Sequence, residues 1–551
     1  MSRYIIIDCL LKGYGEKSVA IRINNINLSL DDDLNVLEKK ICKKLNISKE
    51  DISRLDIIKR SIDARKKNDI KVSFSVNLFC KKEKILLSRI HDKDISFEEI
   101  REIESIKSGT EEIKARPVVI GFGPAGIFAA LTLARYGYKP IVYERGEDVD
   151  KRTETVEKFW KDGRLNLESN VQFGEGGAGA FSDGKLTTRI KDHRCSFVLD
   201  ELIKAGAPTE IKYESKAHVG TDLLKGVVKN IREEIKRLGG EVNFNSKLEK
   251  ITYKDGKLEN IVVNRKNITC EALVLAIGHS SRDTYEMLYR ENVSMDAKAF
   301  AIGVRIEHPQ ELINVNQYGN NHNHPKLHAA DYRLTYQSEK LKRGVYSFCM
   351  CPGGVVVAAA SEEGRLVSNG MSYHARDLDN ANSALVVTVS PEDFEGSSPL
   401  KGMEFQRHYE SLAFKLGGGK YKAPVQLVGD FMKDRVSTKL GAVIPSYTAG
   451  YEFRKLKECL PDYVVEALKE GIINFDKKIK GYAREDAILT GIETRTSAPV
   501  RLNRNASLES INVCGLYPTG EGAGFAGGII SAAVDGIRVA EHIIEKFDLP
   551  K

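Results

Sequence analysis

PVVIGFGPAG, at residues 117–126, places three glycines directly after a short apolar run. A helical pattern follows from Ile127 to Tyr136, and a second apolar run ends at the acidic residue Glu144. A strand, a glycine turn, a helix and a second strand with an acid about twenty residues on form the pattern of a dinucleotide-binding unit. A chance glycine turn does not explain why the strand, the helix, the second strand and the acid all follow in this order and spacing.

Each part of this pattern has a physical role. Gly121 allows the tight turn, Gly123 lets the backbone approach a pyrophosphate, and Gly126 lets the helix and the strand pack closely. The N-terminus of the helix offers free N–H groups and the positive end of the helix dipole to phosphates. Glu144 can accept hydrogen bonds from ribose hydroxyls.

A second glycine-rich segment lies near the other end of the chain, LYPTGEGAGFAGGIISAAVDG at residues 516–536. The apolar run from Ile511 to Cys514 predicts a strand before it, and a helix of small residues is predicted from near Ile529. The glycines again precede a helix N-terminus, which suits an anion or a polarised ring edge. Two such sites can close on one long cofactor, an explanation we prefer to a flexible glycine linker.

A third segment, ALVLAIGHSS at residues 272–281, predicts a buried strand that ends at Ala276 to Gly278. Together the three segments resemble the FAD-binding pattern of the glutathione-reductase-like flavoproteins. That resemblance implies that Glu521 lies by the ribityl chain and that the N-terminus of the last helix faces the flavin pyrimidine edge. It also implies that a strand near Leu248 passes the adenine.

Four further segments narrow the resemblance: NVQFGEGGAGAFSDGKLTTR (170–189), FCMCPGGVVVAAASEEG (348–364), NGMSYHARDLDNANSALVV (369–387) and ETRTSAPVR (493–501). They are similar to the signature blocks of a bacterial family described as FAD-dependent, NAD(FAD)-utilising dehydrogenases. The resemblance covers nearly the whole chain. It implies FAD as the cofactor and leaves the substrate open.

The composition is that of a globular protein with several domains. The chain has 551 residues, of which 42% are hydrophobic and 29% charged, and two or three domains are expected at this length. No apolar run is long enough to cross a bilayer, and the N-terminus lacks a signal-peptide pattern. The nine cysteines are scattered and odd in number, which favours a reducing, cytoplasmic location.

We therefore predict an α/β fold. A Rossmann-like FAD-binding domain, glutathione-reductase-like and three-layered, is expected at residues 115–285 and 486–551. A hairpin with its turn at Asp255 and Gly256 is predicted within the first of these segments. A β-rich α+β substrate or cap domain is inserted at 286–485, with strands predicted at 300–306, 354–360 and 384–389 and a helix at 404–416. A small α/β domain occupies residues 1–105. Within the small domain we expect strands at Tyr4 to Leu11 and Lys71 to Phe79, a helix at Leu34 to Leu45, and either a charged turn or a docking patch at Arg60 to Arg65.

The net charge of +7 is mildly basic, and residues 1 to 115 carry about four of these charges. One interpretation is contact between the N-terminal domain and RNA or another polyanion. The preferred interpretation is an ordinary solvated surface, because acidic residues interleave with the basic ones throughout. A small-molecule substrate is the partner expected first, and the oligomeric state is left open.

The glycine-rich segment 174–186 predicts a loop that wraps a ligand closely. Within it, Ser182 and Lys185 suit pyrophosphate or flavin oxygens, and the alternative is a structural turn. Arg495 lies in a polar stretch before the last glycine motif and suits a substrate carboxylate or phosphate through its bidentate fork. Arg495 and Lys185 are the predicted catalytic residues. The residues predicted to bind the cofactor are Gly121, Gly123, Pro124, Ala125, Gly126, Glu144, Arg145, Gly177, Gly179, Ser182, Leu248, Ala276, Gly278, Gly520, Glu521, Gly527, Gly528 and Ile529.

Two other groups of residues leave alternatives open. Cys349 and Cys351 could form a strained disulfide, bind a metal or reduce a flavin, but on a strand both could simply be buried on one face. His322, His324 and His328 could bind a metal, although a polar surface loop is preferred because no thiol or carboxylate support lies nearby. No metal site is predicted.

The main hypothesis is an FAD-dependent oxidoreductase that moves a hydride between flavin and a substrate, with the redox chemistry supplied by the cofactor. Only one full dinucleotide fingerprint is present, so NAD(P)H is expected to bind transiently or not at all. The alternatives are an FAD enzyme that modifies RNA and a non-catalytic flavin-binding redox sensor.

Overall fold

The computed structural model describes residues 19–81, 86, 92–99 and 106–550. Their contacts divide the chain into two units. The first contains the N-terminal chain as far as Ser105 together with residues 208–217 and 317–328, and the second contains the remainder. The predicted strand at Tyr4 to Leu11 lies outside the described residues. The domain boundaries at 285 and 485 both lie inside the second unit and stay predictions.

The described residues of the first unit include a four-stranded antiparallel sheet in the order β2-β3-β1-β4 and a helix at Leu34–Leu45. Leu37, Ile41 and Leu45 recur every four residues and form the buried stripe of that helix. The helix has the predicted bounds, and the strand predicted from Lys71 extends one residue further. The elements are β1 (Val19–Ser29), α1 (Leu34–Leu45), β2 (Ile52–Asp63), β3 (Lys71–Cys80) and β4 (Ile95–Glu99).

The prediction of a charged turn at Arg60 to Arg65 is wrong for its first four residues. Arg60 to Asp63 continue β2, where Ile62 pairs with Val72 of β3. The charged residues suggested a turn, but they are compatible with a strand. An antiparallel strand needs only one buried face, so its other face can carry charged side chains. Arg60 is partnered there by Glu214, with Nη1 of the arginine 2.5 Å from Oε1 of the carboxylate.

The second unit has mixed α/β structure, with five sheets and ten helices among the described residues. The elements are β5 (Val118–Ile120), α2 (Pro124–Arg135), β6 (Ile141–Tyr143), α3 (Val149–Asp162), α4 (Arg194–Lys204), α5 (Thr221–Arg237), β7 (Glu241–Asn243), β8 (Leu248–Lys254), β9 (Lys257–Val263), β10 (Lys266–Thr269), β11 (Leu273–Leu275), α6 (Arg282–Arg290), β12 (Met295–Ala297), β13 (Phe300–Pro309), α7 (Gln310–Tyr318), β14 (Thr335–Gln337), β15 (Gly344–Cys351), β16 (Gly354–Ala358), β17 (Ser368–Ser372), β18 (Asn380–Val389), α8 (Lys401–Leu416), β19 (Ala423–Leu427), α9 (Val428–Met432), β20 (Tyr451–Phe453), α10 (Asp462–Asp476), β21 (Ile488–Glu493), β22 (Val500–Leu502), β23 (Leu516–Pro518) and α11 (Ile529–Lys546).

A five-stranded parallel sheet in the order β23-β11-β5-β6-β7 carries the first glycine motif. Helices α2 and α11 pack against each other, and α2 contacts β5, β6 and β11. The antiparallel meander β8-β9-β10 shares a core with the sheet, in which Ile251 and Ile261 pack with Val118 and Leu273. Parallel strands bring their carboxyl ends to one edge, and that edge is where open α/β sheets bind ligands.

The hairpin predicted around Asp255 and Gly256 is present between β8 and β9, and both turn residues have positive φ. The strand predicted at Ile511 to Cys514 is wrong. Ile511 to Val513 form bends and Cys514 makes an isolated bridge to Lys257, while the strand of the parallel sheet begins only at Leu516, after Gly515 with a φ of 85°. Ile511 is 57% exposed whereas Val513 is buried, so this apolar run is an irregular segment.

The central part of the second unit is built on a seven-stranded sheet in the order β14-β15-β18-β13-β21-β19-β20. β13 is its central strand and pairs antiparallel with β18 and β21. The strands predicted at 300–306, 354–360 and 384–389 correspond to β13, β16 and β18, and the helix predicted at 404–416 corresponds to α8. No helix among the described residues is long and apolar enough to cross a membrane.

A buried ionic cluster joins α6 and α8 to the chain after β21. The carboxylate of Glu410 accepts hydrogen bonds from Arg282, from Arg495 and from the hydroxyl of Thr494. Burial would raise the pKa of Glu410, but the two guanidinium groups hold it well below its usual range. The carboxylate is therefore charged in the folded protein and fixes both arginines.

Gly126 and Gly226 provide a matched test of the packing of α2. A Cβ on Gly126 would lie 1.9 Å from the carbonyl oxygen of Gly121, whereas a Cβ on Gly226, in the exposed middle of α5, meets no atom within 4 Å. We expect Gly126→Ala to lower the melting temperature by several degrees and Gly226→Ala to raise stability by up to about 1 kcal/mol. Thermal and urea unfolding measure both. Equal effects of the two substitutions would contradict this account of the packing.

Glu410→Gln tests the ionic cluster. Removing one partner of a buried ion pair costs about 3–5 kcal/mol, because the arginines lose their counter-charge without regaining water. Glu404→Gln, on the same helix but 61% exposed at the side chain, is the control and is expected to cost less than about 1 kcal/mol. The contribution of Glu410 is present above the pKa of an unfolded glutamate and is lost as pH falls toward its lowered folded pKa. A control as damaging as Glu410→Gln in urea unfolding would refute this role.

Candidate functional site

One cavity at the carboxyl edge of the parallel sheet is lined by all three predicted cofactor segments. The first turn of α2 and the N-terminus of α11 both open into it. Of the residues predicted from the sequence, eighteen line the cavity, and Gly126 and Gly520 do not. The predicted residues that line it are Gly121, Gly123, Pro124, Ala125, Glu144, Arg145, Gly177, Gly179, Ser182, Lys185, Leu248, Ala276, Gly278, Arg495, Glu521, Gly527, Gly528 and Ile529.

The three glycines of the first motif have different surroundings. Gly121 has a φ of 94°, and a Cβ there would lie 2.3 Å from the carbonyl oxygen of Ala276. Gly126 has no room for a side chain because it packs on Gly121. A Cβ on Gly123 would meet only Gly177, at 3.6 Å, so its backbone is bare toward the cavity. Gly123 is also the N-cap of α2, where the N–H groups of the first turn lack partners within the helix.

Glu144 lies at the end of β6, as the motif requires, and its carboxylate organises the loops around it. It accepts hydrogen bonds from the backbone N–H groups of Phe122, Gly146 and Gly174 at 2.7–2.9 Å. A carboxylate has about four acceptor sites, so about one remains for a ribose hydroxyl. Glu144 therefore has a structural task that the sequence did not reveal, besides the predicted one.

Arg145 is also committed to protein contacts. Its guanidinium donates to Asp283 at 2.9 Å and to Glu168 at 2.8 Å, and it lies 4.1 Å from the centroid of the Phe173 ring. This arrangement holds Arg145 at the rim of the cavity. Its predicted contact with the cofactor stays a prediction.

The 174–186 segment is a loop with one short 3₁₀ turn at Gly177–Phe181. Gly177 packs against Gly123, since a Cβ on it would lie 3.0 Å from the Gly123 Cα. The hydroxyl of Ser182 donates to the Gly179 carbonyl at 2.8 Å and accepts from the Gly184 N–H. Lys185 pairs with Asp183 at 2.6 Å and donates to the Met350 carbonyl. Both predicted ligand-binding side chains thus also stabilise the loop.

The second glycine segment provides the other helix end. Gly528 has a φ of 120° as the N-cap of α11, and neither Gly527 nor Gly528 would place a Cβ within 4 Å of another atom. Gly520 lies behind the cavity, where its N–H donates to Asp535 at 2.7 Å. Glu521 faces the cavity, and burial raises its pKa to about 7 although the nearby Lys298 opposes the shift.

Arg495 lines the cavity but is not an unpaired cation. Its Nε and Nη2 donate to Glu410 at 3.2 and 3.1 Å, and its Nη1 donates to the hydroxyl of Ser361 at 2.5 Å. Burial, together with Arg282, lowers the pKa of Arg495. The bidentate fork that the sequence assigned to a substrate is engaged by the buried cluster.

Several cavity residues were not singled out from the sequence. Gln172 accepts a hydrogen bond from Ser280, whose hydroxyl also contacts Nδ1 of His279 at 2.9 Å. Burial and the cluster arginines lower the pKa of His279 to about 3, so the ring is neutral. His279 and Ser280 directly follow the predicted end of β11, and their position at the carboxyl end of a parallel strand was the available signal.

The far side of the cavity carries a carboxylate and a thiol. Glu493, at the end of β21, is 4% exposed, and burial raises its pKa to about 7 even though Arg305 lies 3.3 Å away. Cys349, near the end of β15, lines the same cavity. Both residues share this cavity with the N-terminus of α11.

The residues that line the cavity suit a dinucleotide such as FAD. Bare glycine backbone lies at both helix N-termini, where a Cβ would occupy space that the protein leaves open. Helix N-termini stabilise phosphates and polarised carbonyl oxygens. An acid with a remaining acceptor site, Glu144, stands beside the first of them. Both ends of the cofactor thus have chemically suitable partners on this chain.

Comparison with protein families agrees with this geometry. Residues 115–301 match the pyridine nucleotide-disulphide oxidoreductase family, and residues 299–496 match a family described as FAD-dependent protein, C-terminal domain-like. Residues 20–79 match a domain of unknown function. FAD is therefore the cofactor of this protein, as the sequence predicted.

Solved structures give only distant likenesses. CtdE in complex with FAD is 12% identical, with a TM-score of 0.30, over 78% of this chain and 84% of its own. A geranylgeranyl bacteriochlorophyll reductase-like protein from Thermoplasma acidophilum is 11% identical, with a TM-score of 0.34, over 79% and 78%. An oxidoreductase from Methanosarcina mazei is 11% identical, with a TM-score of 0.31, over 78% and 100%. Likenesses of this size assign no substrate.

A much closer relative is an uncharacterized protein from Clostridium beijerinckii. It is 97% identical over 533 residues, which are 97% of this chain and the whole of that protein. The chain therefore belongs to the same family as the Clostridium beijerinckii protein, and it carries regions similar to FAD-dependent and pyridine nucleotide-disulphide oxidoreductase domains.

Proposed function

We propose that the protein is an FAD-dependent oxidoreductase that transfers a hydride between the flavin and a small-molecule substrate. The observation that carries the proposal is the meeting of two glycine-bounded helix N-termini in one cavity that also holds titratable side chains. Binding of a nucleotide alone would not require the titratable side chains of Glu493, Glu521 and Cys349 in the cavity.

The arrangement of the second unit favours a glutathione-reductase-like fold. Its parallel sheet has helices α2 and α11 associated with it, and the meander β8-β9-β10 shares its core through Ile251 and Ile261. The seven-stranded sheet follows in the chain before the final strand and helix return to the nucleotide-binding part. We infer that this inserted sheet supplies the substrate side of the cavity, because Cys349 and Glu493 come from it.

The chain's own residues bind and orient the cofactor in this proposal. The first turn of α2 would hold the pyrophosphate over Gly123, and Glu144 would offer its remaining acceptor site to a ribose hydroxyl. The N-terminus of α11, at Gly528 and Ile529, would stabilise partial negative charge on the ring. FAD supplies the two-electron chemistry when bound.

Protons are held by buried carboxyl groups of the chain. Hydride transfer to or from an organic substrate commonly accompanies proton transfer, and a group with a pKa near the working pH is best suited to it. The carboxyl groups of Glu493 and Glu521 both have pKa values raised to about 7 by burial. The carboxyl group of either residue can therefore accept or release a proton near neutral pH.

The donor of electrons is proposed to be NADH or NADPH acting transiently, because the sequence contains one glycine fingerprint for a tightly bound dinucleotide. A visible spectrum taken without oxygen tests this. We expect the purified protein to carry one FAD and its absorbance band near 450 nm, roughly the usual flavin position, to bleach within seconds after NADH or NADPH is added. FAD that bleaches with dithionite but with neither nicotinamide would refute the donor, and a protein that binds no flavin would refute the function itself.

Gly123→Ala separates cofactor binding from folding. Its φ of −84° suits alanine and the added Cβ makes only an ordinary contact, so we expect a folded protein whose backbone cannot approach the pyrophosphate. FAD affinity should fall at least about tenfold, the value of one lost charge-assisted contact. Equilibrium dialysis of the deflavinated protein measures it, with Gly226→Ala as the control that leaves the cavity unchanged. Unaltered FAD affinity in Gly123→Ala would contradict the assignment of the pyrophosphate site.

A further inference from the structure

A chain of hydrogen bonds leads from the backbone just after β16 to the wall of the cavity. The amide nitrogen Nε2 of Gln172 donates to the carbonyl of Ala359 at 3.4 Å. The amide oxygen Oε1 of Gln172 accepts from the hydroxyl of Ser280 at 3.1 Å, and the same hydroxyl oxygen lies 2.9 Å from Nδ1 of His279. Gln172, Ser280 and His279 all line the cavity, so the hydrogen-bond chain ends at an imidazole ring on its wall.

The direction of these hydrogen bonds fixes the position of the imidazole proton. The carbonyl of Ala359 can only accept, so it takes the NH₂ end of the Gln172 amide and leaves the amide oxygen facing Ser280. Ser280 has one hydroxyl proton, which this oxygen receives. The Ser280 oxygen can then only accept from Nδ1 of His279. His279 therefore carries its proton on Nδ1 and a lone pair on Nε2.

The surroundings of His279 keep the ring neutral. Burial and the guanidinium groups of Arg495 and Arg282 lower its pKa to about 3, and the ammonium group of Lys298 acts in the same direction. A second proton, on Nε2, would add a positive charge beside these three cations. Nε2 makes no hydrogen bond to the described part of the chain, and it is open to the cavity. It is therefore an acceptor without a protein partner.

His279 lies beside the second glycine segment, which leads into α11. The hydroxyl of Tyr285 donates to the carbonyl of Gly522 at 2.7 Å and lies 3.3 Å from the carbonyl of Gly278. A Cβ on Gly522 would lie 2.5 Å from the Gly278 carbonyl oxygen, so the two backbones touch. Glu144, the proposed partner of the adenosine ribose, lies instead at the end of β6. His279 is thus on the side of the cavity that would hold the flavin half of FAD.

We propose that His279 is a fixed hydrogen-bond acceptor for a hydroxyl group on the ribityl chain of FAD, and that Gln172 and Ser280 are positioning residues that keep its proton on Nδ1. The ribityl hydroxyls are the O–H donors of the flavin half, and Nε2 offers a lone pair to such a donor. The inference rests on the proposed function for the orientation of FAD. It deepens that function because it adds a binding residue and the two residues that set its tautomer.

Nitrogen NMR of the FAD-loaded full-length protein, with isotope-labelled histidine, measures the tautomer. A ring nitrogen with a proton and one with a lone pair resonate far apart, and the lone-pair nitrogen shifts when it accepts a hydrogen bond. We expect His279, assigned through His279→Gln, to show a proton on Nδ1 and a hydrogen-bonded lone pair on Nε2. The exposed His408 of α8 is the control, and its two nitrogens should show no response to FAD.

Gln172→Leu tests the hydrogen-bond chain through a signal that a loss of packing alone would not produce. Leucine cannot accept from Ser280, so the hydroxyl can turn and donate to Nδ1 of His279, and the ring proton then moves to Nε2. We expect the NMR pattern of the two ring nitrogens to be exchanged in this variant. Gln172→Glu is the conservative variant and should keep the wild-type pattern, because a carboxyl oxygen still accepts from Ser280.

Equilibrium dialysis measures the contact with the cofactor. His279→Leu removes the acceptor and should weaken FAD binding about tenfold, the size of effect expected for one hydrogen bond. His279→Gln can present an amide oxygen near the position of Nε2 and should recover most of this loss, and His408→Gln should bind FAD as the wild type does. An FAD analogue whose ribityl hydroxyls are replaced by hydrogen should bind the wild type and His279→Leu equally.

A proton on Nε2 in the wild type, or an unchanged NMR pattern in Gln172→Leu, would overturn the fixed tautomer. A tenfold loss in His279→Leu that persists with the hydroxyl-free analogue would overturn the ribityl contact. Both results would leave the proposed function standing. The expected NMR and dialysis results, in a protein whose flavin exchanges no hydride with any donor or substrate, would support this inference and overturn the proposed function instead.

Discussion

The close approach of backbone to backbone around α2 is the constraint on which the site depends. A Cβ on Gly126 would lie 1.9 Å from the Gly121 carbonyl, and a Cβ on Gly536 of α11 would lie 2.1 Å from the Ala125 carbonyl. Without side chains at these places, α2 can rest on β5 and α11 can rest on α2. The two helix N-termini then open into one cavity, although some four hundred residues separate them in the chain. Glycines at these positions make no side-chain contacts, but they allow the close packing of helix and strand that forms the cofactor site.

Charged groups fix the remainder of the cavity wall. Glu144 gathers three backbone N–H groups from three loops, and Glu410 holds Arg282 and Arg495 in the interior. Such groups contribute position more than net stability, because desolvation cancels much of the attraction within a buried ion pair. Their effect is to hold irregular glycine-rich loops, which have little packing of their own, in one conformation around the ligand space.

The parts of the fold that the sequence revealed are those governed by local patterns. The glycine motif, the helix at Leu34 to Leu45 and the hairpin at Asp255 and Gly256 each carry their signal within a short window. The predictions failed where residues distant in the sequence determine the local structure. Arg60 to Asp63 form a strand because β3 pairs with them, and Ile511 to Val513 form bends because the strand partner in this region, β11, pairs instead with the residues from Leu516 onward. For Arg495, the sequence showed a cation before a glycine motif but not Glu410, 85 residues away, which binds it.

Burial is the common cause of the unusual acid–base behaviour of the cavity. It raises the pKa of Glu493 and Glu521 to about 7 and lowers that of His279 to about 3, because a poorly solvated wall disfavours any charged form. Cys349 moves the other way since a hydrogen bond from Cys351 and two cations outweigh the same burial. The cavity wall therefore combines ion-paired charges, such as Lys185 with Asp183, with groups whose charge burial disfavours. The carboxyl groups of Glu493 and Glu521 are the members of this wall whose protonation changes near neutral pH.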